Sequence, residues 1–403
     1  MAVLAEVEQF ALNTGTGSQN VSLSTFGGAT PTGAILIGSG TTSNAHSNAD
    51  AEFGIGYAAG AVNLSTFSRA SNGVSTTDCD RLGDNMSIAE YIDFDRVVTE
   101  SVSLSSFSAN TVGLNIDTAG SARLVGMLAL GGDVSAAVIN ANSVDSTTGN
   151  IAYTGAGFQP KAVILSSCGA TSGSSFDHFF LSMGVATAQA GFSVSGQSQT
   201  AVTTTNDFTL TDDGLVICHF INTAQSINTS ASLSSLDADG FTLNYDASGS
   251  STRRCWALCL GGDAEYRCGS FSQPGETGSQ VVSVPGFIPV AVMFFMGGGS
   301  VADAFVDDLC MSCGFSDGTA SAVSACYGLN GAATSSCGKY SSSSSAIAAI
   351  SDSAVVAEAS LTNLAEGHFT VEWSTADAGA RDVVYLAIGL SASGGSGGLL
   401  LPF

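Results

Sequence analysis

The chain has 403 residues, and its 10 basic against 34 acidic side chains give a formal net charge of −24. Nucleic-acid binding rests on clustered Lys and Arg that displace counterions, so two lysines and eight arginines scattered over the whole length exclude most of that class. Only 11% of residues are charged while 44% are hydrophobic and 49 are Gly, which excludes a disordered polar chain and leaves a surface of Ser, Thr, Asn and Gly.

The N-terminus, Met1-Ala2-Val3-Leu4-Ala5-Glu6, has neither the basic start nor the long apolar core of a secretory signal, so folding in a cytoplasm is expected. Apolar runs such as Val290 to Met296 are far shorter than the ~20 residues that span a bilayer. The ten cysteines are then expected to be reduced.

In chain order, the first strong element is Pro31-Thr32-Gly33-Ala34-Ile35-Leu36-Ile37, a Pro-led apolar strand. It recurs at Pro160 and Pro289, a period of about 129 residues. Next comes Ser103-Leu104-Ser105, matched by Ser232-Leu233-Ser234 and Ser360-Leu361-Thr362. Alternating triplets follow at Val112/Leu114/Ile116, Phe241/Leu243/Tyr245 and Phe369/Val371/Trp373, the pattern of a strand with one buried face. After a turn stand Arg123, Arg253 and Arg381, and each third closes on a run apolar on both faces, such as Leu128-Ala129-Leu130-Gly131, read as a central strand.

The expected fold is all-β, with three tandem antiparallel β-sandwich repeats, jelly-roll-like, over 1–133, 134–263 and 264–391. Ser341 to Ser345 reads as a flexible loop. Residues 392–403 read as a flexible tail whose Gly/Ser tether ends in Leu399, Leu400, Leu401 and Phe403, an apolar tip suited to docking on a neighbour.

Three sister units allow an internal test of any site. Cys255 and Cys259 align with Val125 and Ala129 of the first unit, so they read as packing residues. Cys310, Cys313, Cys326 and Cys337 resemble a zinc set in number, but residues three apart on a strand point to opposite faces, so no metal is expected. His46, His178, His219 and His368 hold non-equivalent places and no serine is singled out as a nucleophile, so no catalytic residue and no cofactor are expected. Asp212-Asp213 and Asp307-Asp308 read as turn residues, and Asp237-Ala238-Asp239-Gly240 lacks the rest of a calcium loop. The recurring arginines carry two open readings. One is a local ion pair with Asp117, Asp246 or Asp377, and the other a contact between subunits.

Gly157-Phe158-Gln159-Pro160-Lys161-Ala162-Val163, Asp239-Gly240-Phe241-Thr242-Leu243-Asn244 and Leu258-Cys259-Leu260-Gly261-Gly262 resemble a pattern of tailed-bacteriophage virion structural proteins, of decoration or tail-fibre type. The first unit departs at Phe26-Gly27-Gly28-Ala29-Thr30-Pro31 and the third at Ile388-Gly389-Leu390. The resemblance implies assembly without catalysis. The leading expectation is a non-enzymatic decoration protein on the capsid exterior or another outer virion surface, assembled in the host cytoplasm. The alternative is a carbohydrate-binding tail fibre or spike adhesin. Expected partners are other virion proteins of capsid or tail and further copies of the chain, a trimer being one candidate assembly, with no nucleic acid and no membrane. Arg123, Arg253, Arg381, Leu399, Leu400, Leu401 and Phe403 are the expected interface residues.

Overall fold

The computed structural model describes residues 2–392 apart from 143–146, 171–175, 222–223, 250–251, 300–303 and 380. The described chain is β-strand and turn throughout, in six antiparallel sheets, three of seven strands and three of four. In the first third the large sheet runs Val3–Ala11, Leu124–Gly132, Pro31–Gly38, Ala51–Ala59, Val62–Ala70 and Cys79–Asp84. Packed on it are Gly17–Ser22, Thr111–Thr118, Val98–Ser108 and Ala89–Ile92. The other thirds repeat this order, giving three sandwich-like units.

Local sequence explains the elements. Pro31 opens its strand, where its missing N–H interrupts no established ladder, and Pro289 sits at a register shift before Ala291. In the second unit the strand begins at Ala162, just after Pro160. The triplets ending at Ile116, Tyr245 and Trp373 are buried between the two sheets of their units. Leu124–Gly132 lies inside its sheet, between Val3–Ala11 and Pro31–Gly38.

The two-sided apolarity of that strand has a tertiary cause. Val125, Met127 and Ala129 face the core of the first sandwich, whereas Leu128 and Leu130 face a second core shared by all three units. Trp256, Leu258 and Leu260 from the second unit and Val384, Leu386 and Ile388 from the third enter the same central core. Each large sheet is thus covered on both faces, and the four-stranded sheets lie outermost.

Strand exchange closes the ring. The outer edge of the first large sheet, Cys79–Asp84, is capped by Phe176–Asp177 of the second unit. Asp207–Asp212 is capped by Phe305–Asp307 of the third, and Cys337–Ser342 by His46–Ser47 of the first. Every unit gives one short strand and receives one, so a single chain forms a pseudo-three-fold ring in which these sheet edges are covered. Loops beside the exchange repeat the symmetry. The hydroxyls of Thr77, Thr205 and Ser335 accept hydrogen bonds from the backbone N–H of Val202, Ala332 and Val74, at 3.1, 2.8 and 3.1 Å.

Two expectations are corrected. The strand path is not that of a jelly roll, because four strands of each large sheet follow one another as a meander instead of crossing between sheets as paired Greek keys do. Ser341 and Ser342 are not loop residues: both belong to Cys337–Ser342 and are buried. The Ser341 hydroxyl bonds Ser39 at 2.9 Å and Thr41 at 2.8 Å across the junction of units three and one, which satisfies polar groups that would otherwise be stranded. The last strand runs on to Ser391, and the Ala392 N–H donates to the Gly286 carbonyl at 3.1 Å. Leu399, Leu400, Leu401 and Phe403 lie outside the described residues.

Candidate functional site

Polar chemistry concentrates where one unit meets the next. At the junction of units three and one, Lys339 reaches from the third unit to Glu52, while Arg123 donates to Glu100 at 3.0 Å and lies 4.0 Å from Glu52. Arg69 pairs with Asp50 at 3.2 Å and stands over the Phe94 ring, and the Arg123 guanidinium stands over Tyr91 at 4.4 Å. The Glu52 and Glu100 side chains are 4% and 0% exposed, so this is an internal ion network and not a surface pair. Burial pushes the Glu100 carboxyl up while Arg123 opposes it.

The three recurring arginines therefore do different things. Arg381 makes the expected ion pair with Asp377, four residues before it, supported by Gln273. Arg123 bypasses Asp117, which instead accepts from Asn115, and pairs with Glu100 across the sandwich. Arg253 donates to the Gly169 carbonyl at 2.8 Å while Asp246 accepts from Asn244. The local ion-pair reading is thus correct for Arg381 and wrong for the other two. Extended backbone places Asp117 and Asp246 two residues beyond an Asn on the same face, and that Asn takes the carboxylate.

The cysteines are packing residues by position. Cys255 and Cys259 are fully buried in the core of the second sandwich. Cys310 faces the third sandwich core, whereas Cys313, Cys326 and Cys337 face the central core, so the strand's alternation does separate the Cys310 and Cys313 thiols. Burial pushes the thiol of Cys259 up to about 12. Among the described residues no three His, Cys, Asp or Glu side chains converge in a metal-holding arrangement.

One Ser–His pair was not anticipated. His219 Nε2 lies 2.9 Å from Ser167 Oγ, both buried. Ser167 donates its own proton to the Arg254 carbonyl at 2.5 Å, so the imidazole must donate Nε2–H to Ser167 and cannot act as its base. Burial and the charges of Arg253 and Arg81 hold this imidazole neutral, its basicity well below normal. His46 contacts the Ser351 carbonyl at 3.1 Å, His178 Nδ1 accepts from Thr200 N–H at 3.0 Å and His368 approaches Asn363. Of the paired carboxylates only Asp213 and Asp308 lie in bends, as expected for turn residues, whereas Asp212 ends the strand Asp207–Asp212 and Asp307 ends the exchanged strand Phe305–Asp307. Asp212 accepts from the N–H groups of Gly214 and Leu215, Asp308 from Tyr327 and Asn330, and Asp239 from Gly157.

An open pocket of about 350 Å³ lies where units two and three meet, lined by Lys161, Gln189, Leu236, Glu265, Tyr266 and Arg267 among others. Glu265 serves both Lys161, at 3.0 Å, and Arg267, at 3.6 Å. Glu52, Glu100 and Lys339 escaped sequence reasoning, although an acid inside the apolar strand Ala51–Ala59 was a signal that a buried cation would meet it. No family model matches the sequence, and no curated protein matches it.

Proposed function

We propose that the chain is a non-enzymatic structural protein of a tailed-phage virion, set on the capsid exterior or another outer surface of the particle. The observation that carries this reading is the cyclic exchange of edge strands, by which one chain builds a ring with three-fold pseudo-symmetry. Such a ring suits a three-fold or quasi-three-fold position of a protein shell, where one chain meets three like neighbours. Its outer sheets support the same reading. Gly17–Ser22, Gly149–Thr154 and Gly278–Ser283 share one alternation of exposure, so each unit offers a strand with the same exposed positions to its surroundings.

The repeat of about 129 residues, read as one unit copied twice in tandem, belongs to this proposal. So do the partners: other virion proteins, further copies of the chain, and docking through Leu399, Leu400, Leu401 and Phe403. Arg123 and Arg381 are weaker interface candidates than the tail, because their side chains are 15% and 16% exposed and already spent on internal carboxylates. The adhesin reading loses support from both tryptophans. Trp256 and Trp373 are 0% and 1% exposed, with their indole N–H groups donated to Ser65 and Gln280, so neither presents a face for a sugar.

Imaging of purified particles tests the proposal. Three-lobed density on the outer surface, with one chain per three-fold position, is the expected result. Particles that lack the chain, or enclose it within the shell, would overturn it.

A further inference from the structure

The exchange sites give three pseudo-equivalent junctions whose charges can be compared. Arg81, Thr209 and Lys339 are the third residues of Cys79–Asp84, Asp207–Asp212 and Cys337–Ser342, paired in register with Phe176, Val306 and Ser47 of the next unit. Thr209 bonds Cys310 and Lys339 pairs with Glu52, each the second residue of a neighbouring strand, and Phe180 holds that place in the second unit. Lys339 finds the carboxylate of Glu52, with Glu100 beside it. Thr209 is neutral and is satisfied by donating to the Asp308 carbonyl and accepting from the Cys310 N–H, both at 2.8 Å.

The remaining junction, between units one and two, does not balance. Arg81 is 7% exposed, yet the positions of Glu52 and Glu100 are held there by Phe180 and Thr229. Among the described residues no carboxylate pairs with Arg81 or Arg254, and Arg81 Nε is buried without a hydrogen-bond partner. Asp80, next to Arg81 in the chain, and Asp177, next to its ladder partner Phe176, are both taken by Arg96. The segments that flank Phe176 and Arg253 in sequence, 171–175 and 250–251, contain only Ser, Thr and Gly.

Further cationic groups converge here. Ser68, opposite Arg81 in the ladder, donates to the Phe180 carbonyl at 2.6 Å, which ties this sheet to the second unit. Arg254 donates to Gly83, two residues on from Arg81, at 3.2 Å, and Arg253 Nη1 lies on Gly169, beside Phe180. Burial and the charge of Arg253 lower the Arg81 guanidinium to about 10, so it still carries its charge at neutral pH. A buried guanidinium without a counterion is strongly unfavourable, and its planar fork matches a tetrahedral or planar oxyanion in two-point contact.

We propose that the junction of units one and two binds a small oxyanion of the phosphate or sulfate class on Arg81, with Arg253 and Arg254 around it. The site lies between the units and is independent of the virion reading.

Equilibrium dialysis of the full chain against labelled inorganic phosphate, at constant ionic strength in chloride, tests it. Saturation at one phosphate per chain, displaced by sulfate, is expected, and absence of saturable binding at millimolar phosphate overturns the proposal. Arg81→Met is expected to weaken binding at least about tenfold and to abolish the rise in melting temperature that phosphate gives the wild type over chloride. An Arg81 that only packed would lower the melting temperature in both salts and leave the phosphate effect intact, which would also overturn it. Should Arg81→Met not fold, Thr229→Glu sets a carboxylate where Glu100 stands in the first unit and must likewise lose phosphate. Retained binding in that variant refutes the site.

Discussion

Asp207 shows how a single position can depart from its sisters. It opens its strand as Cys79 and Cys337, which face the central core, open theirs. It is 1% exposed, its Oδ1 has no partner, and burial pushes the carboxyl up to about 7 despite a hydrogen bond from Ser198, with Asp308 adding to the rise. In the unfolded chain the same group ionises near 3.8. Between these values the folded state holds a proton that the unfolded state has released, so stability falls as pH rises through the window and levels off above it. Across the window the loss is on the order of a few kcal/mol. Asp207→Asn should match the wild type near the acid end and exceed it above neutrality, as read by denaturant unfolding at several pH values. Equal decline in both proteins would show that Asp207 is not the source. The thiols give a second test at this scale. Since Cys310 and Cys313 face different cores, the melting temperature should be unchanged in chelator. A large drop with stoichiometric zinc release would contradict that geometry.

At the scale of elements, the junctions carry polar groups whose partners lie far away in sequence. Glu52 neutralises Lys339 and stands 4.0 Å from Arg69 and Arg123, so Glu52→Gln leaves a buried cation cluster short of one charge. Removing one partner of a buried ion pair typically costs about 3–5 kcal/mol, and that loss should appear in urea unfolding. Glu265→Gln, where the group is 27% exposed, should cost under about 1 kcal/mol. The hydroxyls of Thr77, Thr205 and Ser335 make the same loop contact three times. Replacing any one with a residue lacking the hydroxyl should lower stability by about 1–3 kcal/mol, to a similar extent at each junction. A cost confined to one junction would mean that the ring is less symmetric in energy than in form.

For the whole molecule, the central core decides cooperativity. A free unit would expose its share of that core, such as Met183, Trp256 and Leu258 in the second, each worth ~1.5–3 kcal/mol when buried. It would also lose the strand Phe305–Asp307 from its sheet edge. The chain should therefore melt in one transition with calorimetric and van't Hoff enthalpies in agreement, and residues 134–263 alone should not fold. Three separable transitions would indicate three independent sandwiches. Truncation after Ala392 should leave this transition in place, because the last ladder pair is Phe287 with Ser391, while lowering occupancy on particles. A collapsed transition would instead assign the tail to the third unit's core.

The sequence alone determined the units. Period and alternating triplets are local signals, and burial of one strand face enforces a spacing of two that survives in any arrangement of sandwiches, whereas of the three Pro-led strands expected only that at Pro31 opens on its proline. It also determined that Cys310 and Cys313 part company, since that follows from the pleat. The ring, in contrast, was decided by tertiary structure. A strand apolar on both faces, such as Leu124–Gly132, reads only as central, and nothing local says that its second face meets two other units. The exchanged strands, His46–Ser47, Phe176–Asp177 and Phe305–Asp307, are two or three residues long, too short for any alternation to register. The arginines mark the same limit. The partner of Arg381 lies four residues away and was legible, whereas that of Arg123 is 23 residues away on the facing sheet, and the buried charge of Arg81 becomes visible only when Phe180 and Thr229 are seen in the places of Glu52 and Glu100. Electrostatic balance is a property of proximity in space, which sequence separation does not encode.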